Sequence, residues 1–511
     1  MSYALNIIIE ILKEFTPQEI IKFEKFLKSP YYNQSKKLIK LYKELRKFYP
    51  TFKHEKLKDY YLYKRISPNL KFKESTFRNL IVDLRSLIDK FLITENLFES
   101  RFEKQILLLK VLINKNQYSY LNSKANKTLI DLKKDGLDSN NCYSMSVVEF
   151  SKFNSKFIHK RQKTNRDIKE SLETLNKYVT HIINFFVSEL VNINLRILTE
   201  AQKFNLIGDS SFVSQVTSAI DLPKISKLTQ IISKDNILVD LYLHLLNAFE
   251  DFDNIQGFYN YKSCTSKYFK KLTRDEQAYH YSMLICYCII KKTKGKSNIS
   301  FDSELFGLYN TFLKEKLFID DKSKYLDEGL FRNILILTLR LRNFEWAYEF
   351  IEQYTKFLHP EKRKNILNLS FAEYYYHLGS VTNSSDKLNL AFDYLVKIKE
   401  EAFIVKYDIK FLYLMVYYDL GLYNDLLIQL NNYRKFLLRN TLVPKERKIR
   451  FNKFLNILEK LTYLKQGDPH IDADDLNFQI INFDNFNYKN WLLDKALPFL
   501  KSSELQKIRA S

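Results

Sequence analysis

Apolar residues recur every three to four positions through most of this chain, and the breaks between runs predict helices. In "PQEIIKFEKFLK" (17–28), Ile20, Ile21, Phe23, Phe26 and Leu27 fall largely on one side. Thr16, Pro17 and Glu19 in front of them predict a capped helix start, with Glu19 reaching back to close a capping box. Pro30 predicts the stop, because the residue before a proline is pushed out of helical geometry. "SKKLIKLYKELRKFYP" and "EKLKDYYLYKRIS" predict two more helices, closed by Pro50 and Pro68. A fourth carries Phe77, Leu80, Ile81, Leu84, Leu87, Ile88 and Phe91 in helical spacing. Residues 1–100 therefore predict an N-terminal helical domain in an all-α protein.

The helices lengthen over 101–235. Residues 167–204 contain neither Gly nor Pro, which predicts either one helix of nearly 40 residues or one bent near Asn192–Asn194. Its apolar face centres on Ile182, Phe185, Phe186 and Leu190.

Helix pairs follow over 236–465. In "RNFEWAYEFIEQYTKFLHP" (342–360), Ala347, Ile351 and Tyr354 share a face, and Ala391, Leu395 and Ile398 repeat the offsets. Leu426, Leu430 and Tyr433 do so again. A small residue at such a position lets two helices approach closely. Pro360 is expected to end its hairpin, and "SVTNSSD" (380–386) to be a loop insertion. Residues 466–511 predict a loop and C-terminal helices, with Trp491, Leu492, Leu497 and Phe499 capping the stack.

These pairs resemble the degenerate tetratricopeptide-like superfamily. Tyr417 and Leu426 stand nine apart, as the Tyr and Ala of that repeat do, and Tyr375 and Ala391 match once seven extra residues are allowed. "FEKFLKSPYYN", "FEWAYEFIEQYTKFLHPEKR" and "KNWLLDKALPFL" are similar to segments of a family of uncharacterised long bacterial all-helical proteins. The resemblance implies an α-α superhelix of antiparallel pairs behind the N-terminal domain, and it brings no activity and no functional residues with it.

Composition supports the helical reading. Only 9 Gly and 9 Pro occur in 511 residues, and these are the residues that punctuate helices. The net charge of +22 points to an anionic partner. However, 63 of the 81 basic residues are lysines beside abundant Asn, Ile, Tyr and Phe, a bias that AT-rich codons also produce. Two segments concentrate cations. One, 152–166, holds Lys160, Arg161 and Arg166. The other, 434–453, holds Arg439, Lys445, Arg447, Lys448 and Arg450 against a single acid, Glu446. Either could contact nucleic acid or another anion; a solvated helix face accounts for the same pattern.

Candidate chemistry is sparse. Asp468, His470, Asp472 and Asp474 have the spacing of the first half of a calcium loop. Ala473 and Gln479 stand where its Gly and Glu belong, so a helix start is the simpler reading. The histidines show no metal-ligand spacing, and no phosphate-cradling glycine motif is present. Cys142, Cys264, Cys286 and Cys288 have no C-x-x-C spacing and suit a reducing compartment. The longest uncharged apolar run, 277–290, falls short of the roughly 20 residues a membrane span needs. The expectation is a cytoplasmic, non-enzymatic scaffold without cofactor or metal, binding a protein or peptide in a concave groove. A nucleic-acid-binding repeat protein is the alternative.

Overall fold

A computed structural model describes residues 2–99, 102–158, 164–203, 212–232, 237–294, 301–319, 324–398, 405–440, 445–483 and 488–499. Among them are 24 α-helices and no strand. No described helix is long and apolar enough to cross a membrane. The chain divides into two compact units, 1–251 with 266–273, and 252–265 with 274–511.

The first unit opens with five helices, Tyr3–Lys13, Pro17–Lys28, Lys36–Arg46, Asp59–Ile66 and Glu74–Glu99. Each contributes a buried stripe to one core, in which Phe15, Phe23 and Phe91 pack ring to ring. The expected capping box is present: the Glu19 amide donates to Thr16 Oγ1, and the Thr16 amide donates to Glu19 Oε2. The helix ends at Ser29. Buried Asn33 orders the next turn by donating to the Leu27 carbonyl at 2.9 Å. Inside the core, the Tyr42 hydroxyl donates to the Ile20 carbonyl at 2.8 Å.

The rest of this unit is organised by a continuous 39-residue helix, Asn165–Lys203, so the chain does not break at Asn192–Asn194. Helices Ser139–Phe153, Phe212–Ala219, Leu222–Ile232 and Ile237–Glu250 pack along it. Within its apolar face, Leu190 is buried, Ile182 and Phe185 are half-buried, and Phe186 is exposed.

In the second unit, helix pairs follow one another. They are Glu328–Arg340 with Phe344–Tyr354, Pro360–Thr382 with Ser385–Val396, Val405–Asp419 with Tyr423–Arg439, and Lys445–Lys465 with Ala473–Ile481. Ala347, Ala391 and Leu426 are completely buried at the crossings. Pro360 begins a helix instead of ending a hairpin: it occupies the first helical position of Pro360–Thr382, where its missing N–H costs nothing. The "SVTNSSD" segment is not a loop insertion either. Ser380 to Thr382 continue that helix, and Ser385 already belongs to the next. The extra residues lengthen a helix to 23 positions and leave a two-residue turn.

The turns share one device. Arg342, Asn383, Gly421 and Gly467 each adopt positive φ just past the first helix of a pair. The following amide closes onto a carbonyl five positions back: Asn343 to Thr338, Ser384 to Gly379, Leu422 to Tyr417, Asp468 to Tyr463. This Schellman closure satisfies carbonyls that a helix end leaves open. Asn116 and Lys316 repeat it elsewhere.

The C-terminal helix Lys489–Ala496 does more than cap the last pair. Trp491 packs on Tyr418 and Phe454 and reaches Tyr376, so it touches two apolar clusters built by these helix pairs.

Candidate binding cleft

Helix Val405–Asp419 is apolar on two adjoining faces. Phe411 and Tyr418 face the C-terminal segment, against Tyr488 and Trp491. Lys410, Tyr413, Leu414 and Tyr417 occupy the neighbouring face at offsets 0, 3, 4 and 7, one side of a helix. They floor a cleft of about 320 Å³ whose walls are Phe392 and Val396 from Ser385–Val396, and Gln429 and Tyr433 from Tyr423–Arg439. The cleft thus lies between the second helices of consecutive pairs, with a first helix beneath.

Its lining is aromatic and ordered by ring contacts. Phe392 meets Tyr417 edge-on with centroids 5.6 Å apart, and Tyr413 at 6.1 Å. Tyr413 and Tyr417 stack at 6.2 Å. The Lys410 ammonium lies over Phe436 at 4.9 Å and over Tyr433 at 5.8 Å. Burial, with the Asp425 carboxylate adding to it, pushes the Tyr417 hydroxyl above its usual pKa, so it stays a neutral donor and acceptor at physiological pH. The arrangement can hold an apolar or aromatic group among rings, with an ammonium and an amide at its edges.

Behind the cleft is a hydrogen-bonded anchor. Trp491 Nε1 donates to the Tyr376 hydroxyl at 2.6 Å, that hydroxyl donates to Asp419 Oδ2 at 2.8 Å, and Lys495 pairs with Asp419 Oδ1 at 2.5 Å. Burial, with the Asp419 charge next, drives the Tyr376 pKa far up.

The residues singled out in the sequence fall in several places. Tyr417 is in the cleft. Tyr375 stacks on Tyr394 at 5.7 Å with Lys387 over its ring. Lys160 and Arg161 lie outside the described residues. Arg166 starts the long helix and pairs with Glu170 at 3.1 Å, which also takes Lys156 at 3.4 Å. Lys152 pairs with Glu149. The segment that reads as free of acids is thus answered by acids from its own and the next helix. In the second segment, Arg434 is held by Glu459 at 2.6 Å, and Arg450 stands 4.0 Å from Glu446. Arg439 ends one helix and Lys445 starts the next. Arg439, Lys445, Arg447 and Lys448 have no acidic partner among the described residues. The metal-like loop forms a helix start: Asp472 accepts from the Asp474 amide and Asp468 from the His470 amide.

A second polar cluster is sealed. Tyr261 Oη and His280 Nδ1 lie 2.6 Å apart, with His280 Nε2 3.4 Å from Glu276 Oε1. Both rings are fully buried, and burial holds the Tyr261 hydroxyl well above its ordinary pKa. The cluster joins two helices.

Phe392, Lys410, Tyr413 and Tyr433 were not anticipated as site residues. The signal was present in "KFLYLMVYYDLG", where lysine and two tyrosines share one face while the flanking aromatics share another. No family model, curated protein or solved structure matches this chain.

Proposed function

We propose that the chain is a non-catalytic helical-repeat interaction protein of tetratricopeptide-like architecture, whose second unit captures a peptide segment of a partner protein. The observation that carries this reading is the cleft of about 320 Å³ between helices, lined by Phe392, Tyr413, Tyr417 and Tyr433 with Lys410 at its edge. That volume lies at the low end of the roughly 300–1,000 Å³ in which proteins seat ligands. It suits one aromatic or branched aliphatic side chain, and Lys410 favours an acidic residue beside it. Helix grooves read partners in this way, through a few anchors at fixed spacing.

The concave groove expected from the repeat pattern is the less favoured location. First helices line that side of such arrays, and here Trp491 and Tyr488 already cover Phe411, Tyr418 and Phe454. The cleft between second helices is the better candidate.

The test is fluorescence anisotropy with labelled 12-residue peptides pairing Phe or Leu with neighbouring Asp or Glu. Micromolar binding that falls at least tenfold in Tyr417→Ala and in Lys410→Ala supports the reading. Binding that ignores both variants rejects it.

Arg439, Lys445, Arg447 and Lys448, cations without acidic partners among the described residues, favour nucleic acid as a second reading. With about four phosphate contacts on single-stranded RNA, log affinity should fall with log salt at a slope of roughly −3. Arg447→Ala with Lys448→Ala should flatten that slope. Absence of RNA binding at low salt removes this reading.

A further inference from the structure

The long helix Asn165–Lys203 turns part of its apolar surface outward. Its core side carries Thr180, Asn184, Ser188 and Asn194, all buried, among valines and leucines. These polar groups are satisfied close by: Thr180, Asn184 and Ser188 each donate to the carbonyl four residues back, and Asn184 Oδ1 accepts from the Val239 amide. The opposite side carries Ile168, Leu172, Val179, Phe186 and Ile193, from 40 to 57% exposed.

Leu172, Val179, Phe186 and Ile193 recur every seven residues. Leu175 and Ile182 stand three positions after the first two and are half-buried. A strict seven-residue recurrence is 3.5 per turn, the period of a helix that wraps another helix. The seam runs 21 residues, about 32 Å at the helical rise. Tyr143 and Phe150 widen it from helix Ser139–Phe153. They lie on Phe185 and Tyr178 at 5.3 Å and are themselves 47 and 43% exposed. Contiguous apolar surface of this extent marks an interaction site.

We propose that this seam pairs two copies of the chain, antiparallel, across a two-fold axis between Thr180 and His181. Charge selects the second copy: from Ile168 to Phe186 the seam positions are uncharged, so two molecules of net charge +22 meet there without opposing cations. Charge also selects the direction. Between Leu172 and Ile193, Glu189 is the ionised residue at a seam position, fixed by a 2.7 Å bond from Ser139. Parallel pairing sets the two Glu189 side by side, whereas antiparallel pairing sets each against Leu172 at the seam's ends. Val179 then meets Ile182, and Phe186 meets Leu175. A specific interface needs roughly 600 Å² from each partner at its lower bound, and each copy offers the exposed faces of Leu172, Val179, Phe186, Ile193, Tyr143 and Phe150. A symmetric, self-complementary patch is what a two-fold dimer requires.

Sedimentation equilibrium on the full chain at about 1–50 µM tests the pairing. The expected mass is twice 61.3 kDa. Val179→Glu and Phe186→Glu should each weaken association at least tenfold while leaving the circular dichroism spectrum and Tm unchanged, since both positions are exposed. If either charge variant loses helicity, Val179→Asn serves in its place. Under oxidation, a mixture of Val179→Cys and Ile182→Cys chains should cross-link into a heterodimer and Ile193→Cys alone should not, all judged against the wild-type background. A wild-type monomer throughout this range overturns the proposal and leaves the seam to a helix of another protein. A dimer indifferent to the charge variants overturns it by placing the contact elsewhere. Cross-linking at Ile193→Cys overturns the antiparallel register.

Discussion

The Trp491 indole donates to the Tyr376 hydroxyl across 115 positions of sequence, and the same hydroxyl is bound to Asp419. Two bonds through one hydroxyl therefore join the last described α-helix to two earlier helices. Trp491→Phe keeps a ring against Tyr418 but removes the donor, and should cost about 1 kcal/mol. Trp491→Ala also loses the packing and should cost about 3 kcal/mol. Urea unfolding followed by circular dichroism measures both, and equal costs for the two would show that the hydrogen bond contributes nothing separable.

Gly136 has φ +109°, and a Cβ there would stand 2.8 Å from the Leu272 carbonyl carbon and the Thr273 amide nitrogen. Backbone lies on both sides: Leu137 donates to the Lys271 carbonyl and accepts from the Thr273 amide. Gly136→Ala should destabilise by about 2–4 kcal/mol through strain and the forced separation of these segments. A loss under 1 kcal/mol in denaturant would mean that the contact yields.

At Arg342 the chemistry runs the other way. Its φ of +57° is a left-handed conformation that costs a side chain about 1 kcal/mol, so Arg342→Gly should stabilise by roughly 0.5 kcal/mol after glycine's entropy is subtracted. Gly421 has φ +73° with open space around the missing Cβ, so Gly421→Ala should cost about 1 kcal/mol from the backbone alone. Paired thermal melts check the two signs.

Burial lowers the pKa of His377 from 6.5 to about 4, and burial first, then Lys133 and Lys177, lowers that of His181 to about 4. An unfolded chain therefore binds protons at both sites where the folded chain does not. Stability from these groups is fully present above pH 6.5 and is lost as pH falls from about 6.5 to about 4. Each should contribute on the order of 2 kcal/mol of that loss. His377→Gln should show a correspondingly shallower decline between pH 7 and pH 4.5 in urea midpoints. An unchanged slope would mean that His377 protonates freely in the folded state.

The helix pairs were legible because Ala347 and Ala391 mark crossings by size and spacing alone. The turns were only half legible. Gly421, Gly467 and Asn383 are residues that tolerate positive φ, whereas Arg342 and Lys316 adopt it because neighbouring helices fix the turn, which local sequence does not reveal. The seven-residue recurrence along the long helix is written in the sequence, but its outward direction is set by the helices that cover Ser188 and Asn194. The cleft was hidden for a similar reason: Phe392, Tyr413 and Tyr433 come from three helices, and only their packing decides which aromatics fill a core and which line a gap. Nothing local to Trp491 reports a partner 115 positions away.

The repeated Schellman turns have a consequence for assembly. Each first helix is closed by a hydrogen bond spanning five residues, so every hairpin can form its own corner before any distant segment arrives. Local closure of this kind carries little loop entropy. The Trp491 bond is the opposite case. It links positions 115 apart and has nothing to grip until Tyr376 and Asp419 are in position, so its formation depends on helix pairs that are already packed.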